Sequence, residues 1–253
     1  MGNDSIQENR KRTLEEVRRR KMEEEKARRK KYNRIMLIVS IVIIVAALAV
    51  VLVSVLSNVD FSPKMKDIDF SQVDLSKCQV SQTETDYVLM TIKDHGQVLI
   101  RLYPKVAPLT VKNFKNLVSK GFYDGLTFHR IVDGFMAQGG DPQGNGNGGS
   151  GTTIKGEFKS NGVNNNLSHV RGVVSMARGS DSMDSASSQF FICYDDVSST
   201  LDGKYASFGY VCAGMDVMDG LLEVERTMNS LGERATPVEP VIIESMQFVT
   251  VKG

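Results

Sequence analysis

One arginine occupies a position that requires a physical explanation. Arg130 lies in the stretch 127–141, which reads TFHRIVDGFMAQGGD and is otherwise rich in apolar side chains. A buried charge without a partner is costly, so such an arginine either forms a salt bridge or faces a cleft and meets a ligand there. Its guanidinium group is permanently charged and carries several N–H donors, which suits it to stabilising electron-rich atoms. The stretch by itself leaves both possibilities open.

Other residues with catalytic potential form weaker patterns. The run GNGNGG at 144–149 fits GxGxxG, but no strand precedes it and no helix follows, so dinucleotide binding is not predicted. The three histidines, His95, His129 and His169, lack metal-ligand spacing, and neither a metal nor a cofactor is expected. A Ser–His–Asp arrangement stays possible, because serines are plentiful, although no serine stands out as a nucleophile.

Composition limits the classes of partner. The chain has 253 residues, of which 41% are hydrophobic and 24% charged, as in a globular protein. Residues 1–34 contain 13 Lys/Arg and 7 Asp/Glu, so the remaining residues carry a net charge of −5 within a total of +1. A mildly acidic body argues against nucleic acid as a partner. Three cysteines without a CxxC pair support neither a disulfide framework nor a zinc ribbon.

The elements that must position Arg130 are predicted to be mainly β-strands. Alternating apolar residues predict a hairpin whose turn is His95-Gly96. Together with short apolar runs they predict strands at 87–92, 97–103, 127–132, 135–139, 172–177, 189–194, 206–212 and 242–251. Helices are predicted at 108–120, with Leu109 and Phe114 on its apolar face, and at 215–226. Many strands and two helices favour a mainly β fold, a closed antiparallel barrel with helical caps.

A membrane anchor is predicted ahead of this barrel. From 35 to 59 there are 25 residues without a charge, and a bilayer-spanning helix needs roughly 20. Residues 15–34 hold ten Lys/Arg and residues 58–77 hold three. Because positive residues stay in the cytoplasm, a single-pass protein of the cell membrane is expected, with its N-terminus inside and the barrel outside. The predicted parts are a charged helical cytoplasmic tail at 1–34, a transmembrane signal anchor at 35–59, a polar spacer at 60–85 and the barrel domain at 86–253.

Three segments of the barrel domain resemble the cyclophilin family of peptidyl-prolyl isomerases. FHRIVDGFMAQGGD is close to that family's most specific signature, VSMARGSDSMDSASSQFFI at 174–192 is similar to its bacterial form, and LDGKYASFG at 201–209 matches a third block. The resemblance covers about residues 86–253, in the expected order. It implies an eight-stranded barrel capped by two helices, with the site on the outer face, and an enzyme that binds proline-containing polypeptides.

The resemblance also implies roles for individual residues. Arg130 corresponds to the family's catalytic arginine and Gln138 to a residue that hydrogen-bonds the substrate backbone. The proline pocket is implied to consist of four apolar side chains: Phe135, which is also expected to act in catalysis, Met136, Phe191 and Leu201. The surrounding groove is implied to be lined by five more residues: Val132, Ala177, Arg178, Gln189 and Tyr205.

The sequence departs from the eukaryotic pattern at several positions of the groove. Thr200 stands where many eukaryotic members have tryptophan, Tyr205 where they have histidine and Arg178 where asparagine is common. Weak binding of cyclosporin is therefore expected, while the catalytic set is complete.

Two functions stay open. One is isomerisation of X-Pro bonds in proteins folding outside the cytoplasm, and the other is a proline-peptide-binding chaperone or scaffold module with little turnover. A hydrolase is a more distant third.

Overall fold

The structure, a computed structural model, describes residues 68–252 together with positions 19–20, 22–23, 26, 28–31, 36 and 45. The chain divides into two compact units, Met1–Asp60 and Phe61–Gly253. The described positions of the first unit are helical, and Arg19 pairs with Glu23 at 3.4 Å. Most of the predicted span at 35–59 lies outside the described residues. Among those that are described, no helix is both long and apolar enough to cross a membrane.

The second unit is built from antiparallel strands. Within the described residues they are β1 (Cys78–Val80), β2 (Tyr87–Ile92), β3 (Gly96–Leu102), β4 (Thr127–Val132), β5 (Met136–Asp141), β6 (Val173–Met176), β7 (Phe190–Cys193), β8 (Ala206–Ala213), β9 (Arg226–Met228), β10 (Arg234–Pro237) and β11 (Val241–Val251). Eight of them pair in the order β11-β2-β3-β8-β6-β7-β5-β4, and β4 pairs again with β11. The sheet is therefore closed, which confirms the predicted eight-stranded barrel and leaves no free sheet edge in the ring.

Strand β11 closes the barrel because it is long enough to serve three partners. Its first residues pair with β4, its middle with β2 and its last three, Val249 to Val251, with β1. A bulge between Ile243 and Ser245 lets the strand change direction between the first two partners.

Within residues 68–252 the helices are few, and the two predicted ones are shorter than expected. Helix α1 (Pro108–Ser119) begins with proline, and the buried carboxylate of Glu157 accepts hydrogen bonds from the N–H groups of Leu109 and Thr110. Its buried face includes Phe114, but Leu109 is 48% exposed, so its predicted place on the apolar face is wrong. Leu109 lies five residues before Phe114, which is about 140° around an α-helix, so its side chain faces away from the buried side.

The predicted helix at 215–226 is also wrong in length. The helix in this region, α3, spans only Met215–Gly220 and is followed by a 3₁₀ turn, Leu221–Glu223. A further four-residue helix, α2 (Ser198–Leu201), precedes β8. After the 3₁₀ turn the chain enters a hairpin, β9–β10, that the sequence pattern did not reveal. Arg226 starts the hairpin and donates hydrogen bonds to the carbonyls of Ile131 and Leu222. These tertiary contacts outweigh the local helical pattern.

Side chains alternate between the interior and the outer face of the barrel. On β7, Phe190 and Ile192 belong to the interior core, which also contains Phe114 of α1. Phe191 and Cys193 of the same strand belong to a second apolar cluster on the opposite face. Because successive side chains of a strand point to opposite faces, this second cluster lies on the outside of the barrel wall. It is the surface on which the candidate site is built.

A bulge in β4 decides which way Arg130 points. Phe128 pairs with Gly139 and Arg130 with Gln138, so His129 is an extra residue without a partner in the ladder. As a result Phe128 and Ile131, three positions apart, are both buried in the interior core. With strict alternation Arg130 would share the side of Phe128. The bulge instead turns it outward, next to the second apolar cluster.

Residues 68–80 form an N-terminal strap on the barrel, although the segment 60–85 is predicted as a polar spacer. Ile68 is 8% exposed, and the ring of Phe70 meets that of Tyr210 edge-on at 4.7 Å between centroids. The main-chain N–H of Val73 donates to the carbonyl of Cys212, and β1 completes the strap against β11. This part of the polar segment is thus held to the barrel by apolar and backbone contacts.

Candidate active site

A directional chain of hydrogen bonds joins three of the predicted polar residues. Nη1 of Arg130 donates to Oε1 of Gln138 at 3.4 Å, and Nε2 of Gln138 donates to Oε1 of Gln189 at 2.8 Å. Nε2 of Gln189 in turn donates to the carbonyls of Gly146 and Gly148. Each amide has one orientation that satisfies both neighbours. Gln138 therefore keeps one N–H of its amide group available for a substrate carbonyl.

Arg130 is also paired with a carboxylate that the sequence did not point to. Nε and Nη2 of Arg130 donate to Oε2 and Oε1 of Glu233 at 2.8 and 2.6 Å, in a bidentate arrangement. Both side chains are partly exposed, at 22% and 29%. The carbon of the guanidinium group also lies 5.5 Å from the ring centroid of Phe135. The arginine is thus salt-bridged on one edge and faces the site on the other, so both sequence-based possibilities hold at once.

The predicted apolar residues come together beside this arginine. Met136, Phe191 and Leu201 are nearly fully buried in the outer cluster. Four less buried side chains pack against them: Val132, Phe135, Ala177 and Tyr205. The rings of Phe191 and Tyr205 meet edge-on, with their centroids 5.9 Å apart. The result is an apolar surface on rigid strands with a fixed donor at its border, as a site for a proline ring requires.

Arg178 forms a wall of the neighbouring cleft. Its guanidinium carbon lies 4.9 Å from the ring centroid of Tyr205 and 5.3 Å from that of Phe158. Its N–H groups donate to the main-chain carbonyls of Lys204 and Gly179. A cleft of about 310 Å³ lies between Arg178, Ala177, Gln138 and Gln189. Arg178 is held by cation–π contacts and by hydrogen bonds to carbonyls, which makes it a fixed part of the groove.

A Ser–His–Asp cluster lies behind the apolar pocket. Nδ1 of His169 is 2.7 Å from Oδ1 of Asp202, and Nε2 is 2.9 Å from Oγ of Ser175. Ser175 and His169 are 0% and 1% exposed, so a substrate cannot reach this serine. The ring of His169 instead stacks on that of Phe191, with centroids 6.0 Å apart. The cluster supports the floor of the pocket, and its burial argues against a serine hydrolase.

The glycine-rich run at 144–149 is folded around a carboxylate of the chain itself. Asp141, 1% exposed, accepts hydrogen bonds from the N–H groups of Gln143, Asn145 and Gly146. Burial alone would raise the pKa of Asp141, but these backbone donors lower it. The carboxylate therefore occupies the N–H groups that a phosphate would need. The loop instead supports Gln189, whose Nε2 donates to the carbonyls of Gly146 and Gly148.

The structure brings all the predicted site residues into one region, and it adds residues that the sequence did not single out. Glu233 lies on the unpredicted β9–β10 hairpin, and Phe158 lies in a stretch with no strand or helix pattern. A signal for Glu233 did exist, because the apolar surroundings of Arg130 predicted a partner for its charge. Nothing in the sequence indicated which of the 30 acidic residues it would be.

A closed antiparallel barrel with an apolar pocket and an arginine on its outer face is the architecture expected for the cyclophilin class. The family model for cyclophilin type peptidyl-prolyl cis-trans isomerases matches residues 87–248, more than half of the chain. The chain belongs to this family and is a peptidyl-prolyl cis-trans isomerase.

Individual relatives agree with this assignment. Peptidyl-prolyl cis-trans isomerase B of Bacillus subtilis is 43% identical over 133 residues, which cover 53% of this chain and 87% of the relative. Peptidyl-prolyl cis-trans isomerase A of Dickeya dadantii is 34% identical over 210 residues, or 80% of this chain and 97% of the relative. A cyclophilin type isomerase of Cryptosporidium parvum, crystallised in the presence of the dipeptide Ala-Pro, superposes with a TM-score of 0.56 at 28% identity, over 65% of this chain and 99% of that one.

Proposed function

We propose that Arg130 accelerates X-Pro isomerisation by stabilising the twisted amide. The observation that carries this proposal is the placement of the guanidinium group at the border of the apolar pocket, with its carbon over the ring of Phe135 and its Nη1 donating to Gln138. A flat surface for the ring and a donor at its edge are the two features that the reaction needs.

The chemistry follows from the electronic structure of the peptide bond. Rotation about C–N meets a barrier of roughly 18–20 kcal/mol, because resonance is lost at the twisted geometry. In that geometry the prolyl nitrogen regains its lone pair and becomes a hydrogen-bond acceptor. A donor aimed at this nitrogen binds the twisted state better than either planar state, which lowers the barrier. The apolar pocket holds the ring, and Gln138 holds the substrate backbone while the preceding carbonyl swings.

The substrates are proposed to be proline-containing polypeptides that fold outside the cytoplasm. The presence of the dipeptide Ala-Pro with the Cryptosporidium parvum isomerase supports a proline-peptide ligand. The bacterial relatives and the loop between Arg178 and Gln189 support a bacterial-like member of the family. The uncharged run at 35–59 and the excess of Lys/Arg before it support an anchor in the lipid bilayer with the barrel on the outer side.

The decisive experiment replaces the arginine in the full chain. Arg130→Ala is expected to lower kcat/KM for an Ala-Pro peptide about a hundredfold, because it removes a preorganised donor from the transition state. Arg234→Ala, at an exposed arginine on the adjacent hairpin, is the matched control and should keep wild-type turnover. Exchange spectroscopy on the peptide measures the rates. Wild-type turnover in Arg130→Ala would refute the proposed role. Peptide binding without turnover in the wild-type protein would favour the scaffold function instead.

A further inference from the structure

We propose that Glu233 is a positioning residue that holds Arg130 with its Nη1 edge toward the proline pocket. The inference rests on the proposed catalytic role of Arg130. It adds a residue from a separate element, the β9–β10 hairpin, to the machinery of the reaction.

The geometry of the pair fixes the plane of the guanidinium group. Two parallel hydrogen bonds to Glu233, at 2.8 Å from Nε and 2.6 Å from Nη2, occupy one edge of the guanidinium group. A bidentate contact leaves little freedom to rotate, whereas a single hydrogen bond would act as a pivot. The opposite edge, Nη1, is then directed at Gln138 and the pocket. An arginine without this partner has a long side chain with many rotamers, of which few place a donor above the pocket.

Glu233 is itself held in place by its own turn. Asn229 Nδ2 donates to Oε2 of Glu233 at 2.8 Å, and Oδ1 of Asn229 accepts from the main-chain N–H groups of Leu231 and Glu233. The carboxylate therefore receives hydrogen bonds from both sides. The hydrogen bond from Arg130 is the main cause that lowers the pKa of Glu233, so the carboxylate is charged at neutral pH.

The hairpin that carries Glu233 is docked on the strand that carries Arg130. Arg226 of β9 donates to the carbonyl of Ile131, the residue that follows Arg130. Ala235 of β10 is completely buried. The distance between the carboxylate and β4 is thus set by the fold, as positioning of a reacting group requires.

The direction in which turnover changes when Glu233 is removed shows whether this carboxylate positions Arg130 or inhibits it. A carboxylate beside Arg130 weakens the positive potential at Nη1, and by that effect alone its removal would raise turnover. It also orients the donor, and by that effect its removal lowers turnover. We assign the larger effect to orientation, because a displacement of about 1 Å in a site can cost about a hundredfold in rate.

The test uses full-chain variants with matched sizes. Glu233→Gln keeps the volume of the side chain but opposes one Arg130 donor with an amide NH₂, and Glu233→Ala removes the contact. Both are expected to lower kcat and kcat/KM together by about tenfold with little change in KM, which is the pattern for an interaction made in the transition state. Glu239→Gln, at an exposed acidic residue just after the hairpin, should keep the wild-type constants. NMR of the Arg130 Nε–H should show faster hydrogen exchange in both Glu233 variants.

A double variant separates this inference from the role of Arg130. In an Arg130→Ala background, Glu233→Gln should have no further effect on turnover, because Glu233 acts only through the arginine. Turnover in Glu233→Gln that equals or exceeds the wild-type value would overturn the inference, and so would a tenfold loss that persists in the Arg130→Ala background. Full turnover in Arg130→Ala alone would instead refute the proposed role of the arginine.

Discussion

At the scale of single residues, Arg130 illustrates how a permanent charge can be placed at an apolar surface. Its side chain is only 22% exposed, so the partner of its charge matters. An exposed ion pair contributes little to stability, typically about 0–1 kcal/mol. The pair with Glu233 is partly shielded and bidentate, yet its location beside the pocket makes orientation of the arginine its more important consequence.

Thr200 is expected to limit inhibition by cyclosporin-type cyclic peptides. It is exposed on α2, next to the buried pocket residue Leu201. A tryptophan there would add about 100 Å² of apolar contact area, or about 2.5 kcal/mol, which is roughly two orders of magnitude in affinity. We predict weak inhibition of the wild-type protein, and tighter inhibition with similar turnover in Thr200→Trp. Inhibition constants of the two proteins check this, and equal constants would contradict it.

The buried His169 and the partly buried His129 are expected to make stability depend on pH at values above the ordinary pKa of carboxylates. Burial is the main cause that lowers the pKa of His169, despite its hydrogen bond to Asp202, and it lowers the pKa of His129 as well. The unfolded chain, with ordinary values near 6.5, then binds more protons than the folded protein as the pH falls. Their contribution to stability is complete above pH 6.5 and decreases below it.

This pH dependence can be measured by thermal unfolding. The Tm should fall as the pH is lowered from about 7.5 to 5, a range that lies above the ordinary pKa of carboxylates. His169→Gln should show a lower Tm at neutral pH but a smaller slope with pH, because one of the two protonation sites is gone. A Tm that stays constant over this range in the wild-type protein would show that the fold does not hold His169 and His129 in their neutral form.

At the scale of elements, the strap at residues 68–80 is tied to the wall that carries the site. Ile68 belongs to the same outer apolar cluster as Met136 and Phe191. The hydroxyl of Tyr103 donates to the carbonyl of Asp69 at 2.6 Å, and Arg101 forms an ion pair with the Asp69 carboxylate. The barrel therefore uses this segment as part of its packing.

Removal of the strap is expected to destabilise the barrel. Burial of one large apolar side chain contributes about 1.5–3 kcal/mol, so loss of Ile68 and Phe70 costs about 3 kcal/mol or more. For a domain of this size that lowers the Tm by roughly 6–12 °C. We predict this difference between a fragment beginning at residue 61 and one beginning at residue 81, measured by calorimetry. Equal Tm values would mean that the strap contributes no net packing energy.

At the scale of the whole molecule, the proposed anchor would restrict the enzyme to one side of a membrane. An isomerase needs only a short encounter with each X-Pro bond, and unaided isomerisation takes about 10–100 s. Clients that emerge from the membrane would meet a tethered enzyme at once. This arrangement requires the barrel to lie outside the cytoplasm, as the distribution of Lys/Arg around residues 35–59 predicts.

The orientation can be tested in intact cells. Added protease is expected to digest the domain at 86–253 and to spare the tail at 1–34, because only the domain is exposed outside. Antibodies against each part, used before and after lysis, follow the two fragments. Protection of the barrel domain until lysis would reverse the predicted orientation and place its clients in the cytoplasm.

The sequence by itself determined the family, the eight strands of the barrel and the site residues other than Glu233 and Phe158. Alternation fixed β2 and β3 within one residue, and the stretch 127–141 named Arg130, Phe135, Met136 and Gln138 before any contact was visible. These features are local, since they depend on residue type and on spacing along one segment. Periodicity carries such information directly.

Only the tertiary structure decided the direction and the partner of the arginine. The bulge at His129 depends on how β4 pairs with β5, and Glu233 is 103 residues away from Arg130 in sequence. The early end of α3 likewise depends on the contact of Arg226 with Ile131. Pairings between distant segments are selected by packing of the whole barrel. A residue pattern within one segment therefore cannot specify them.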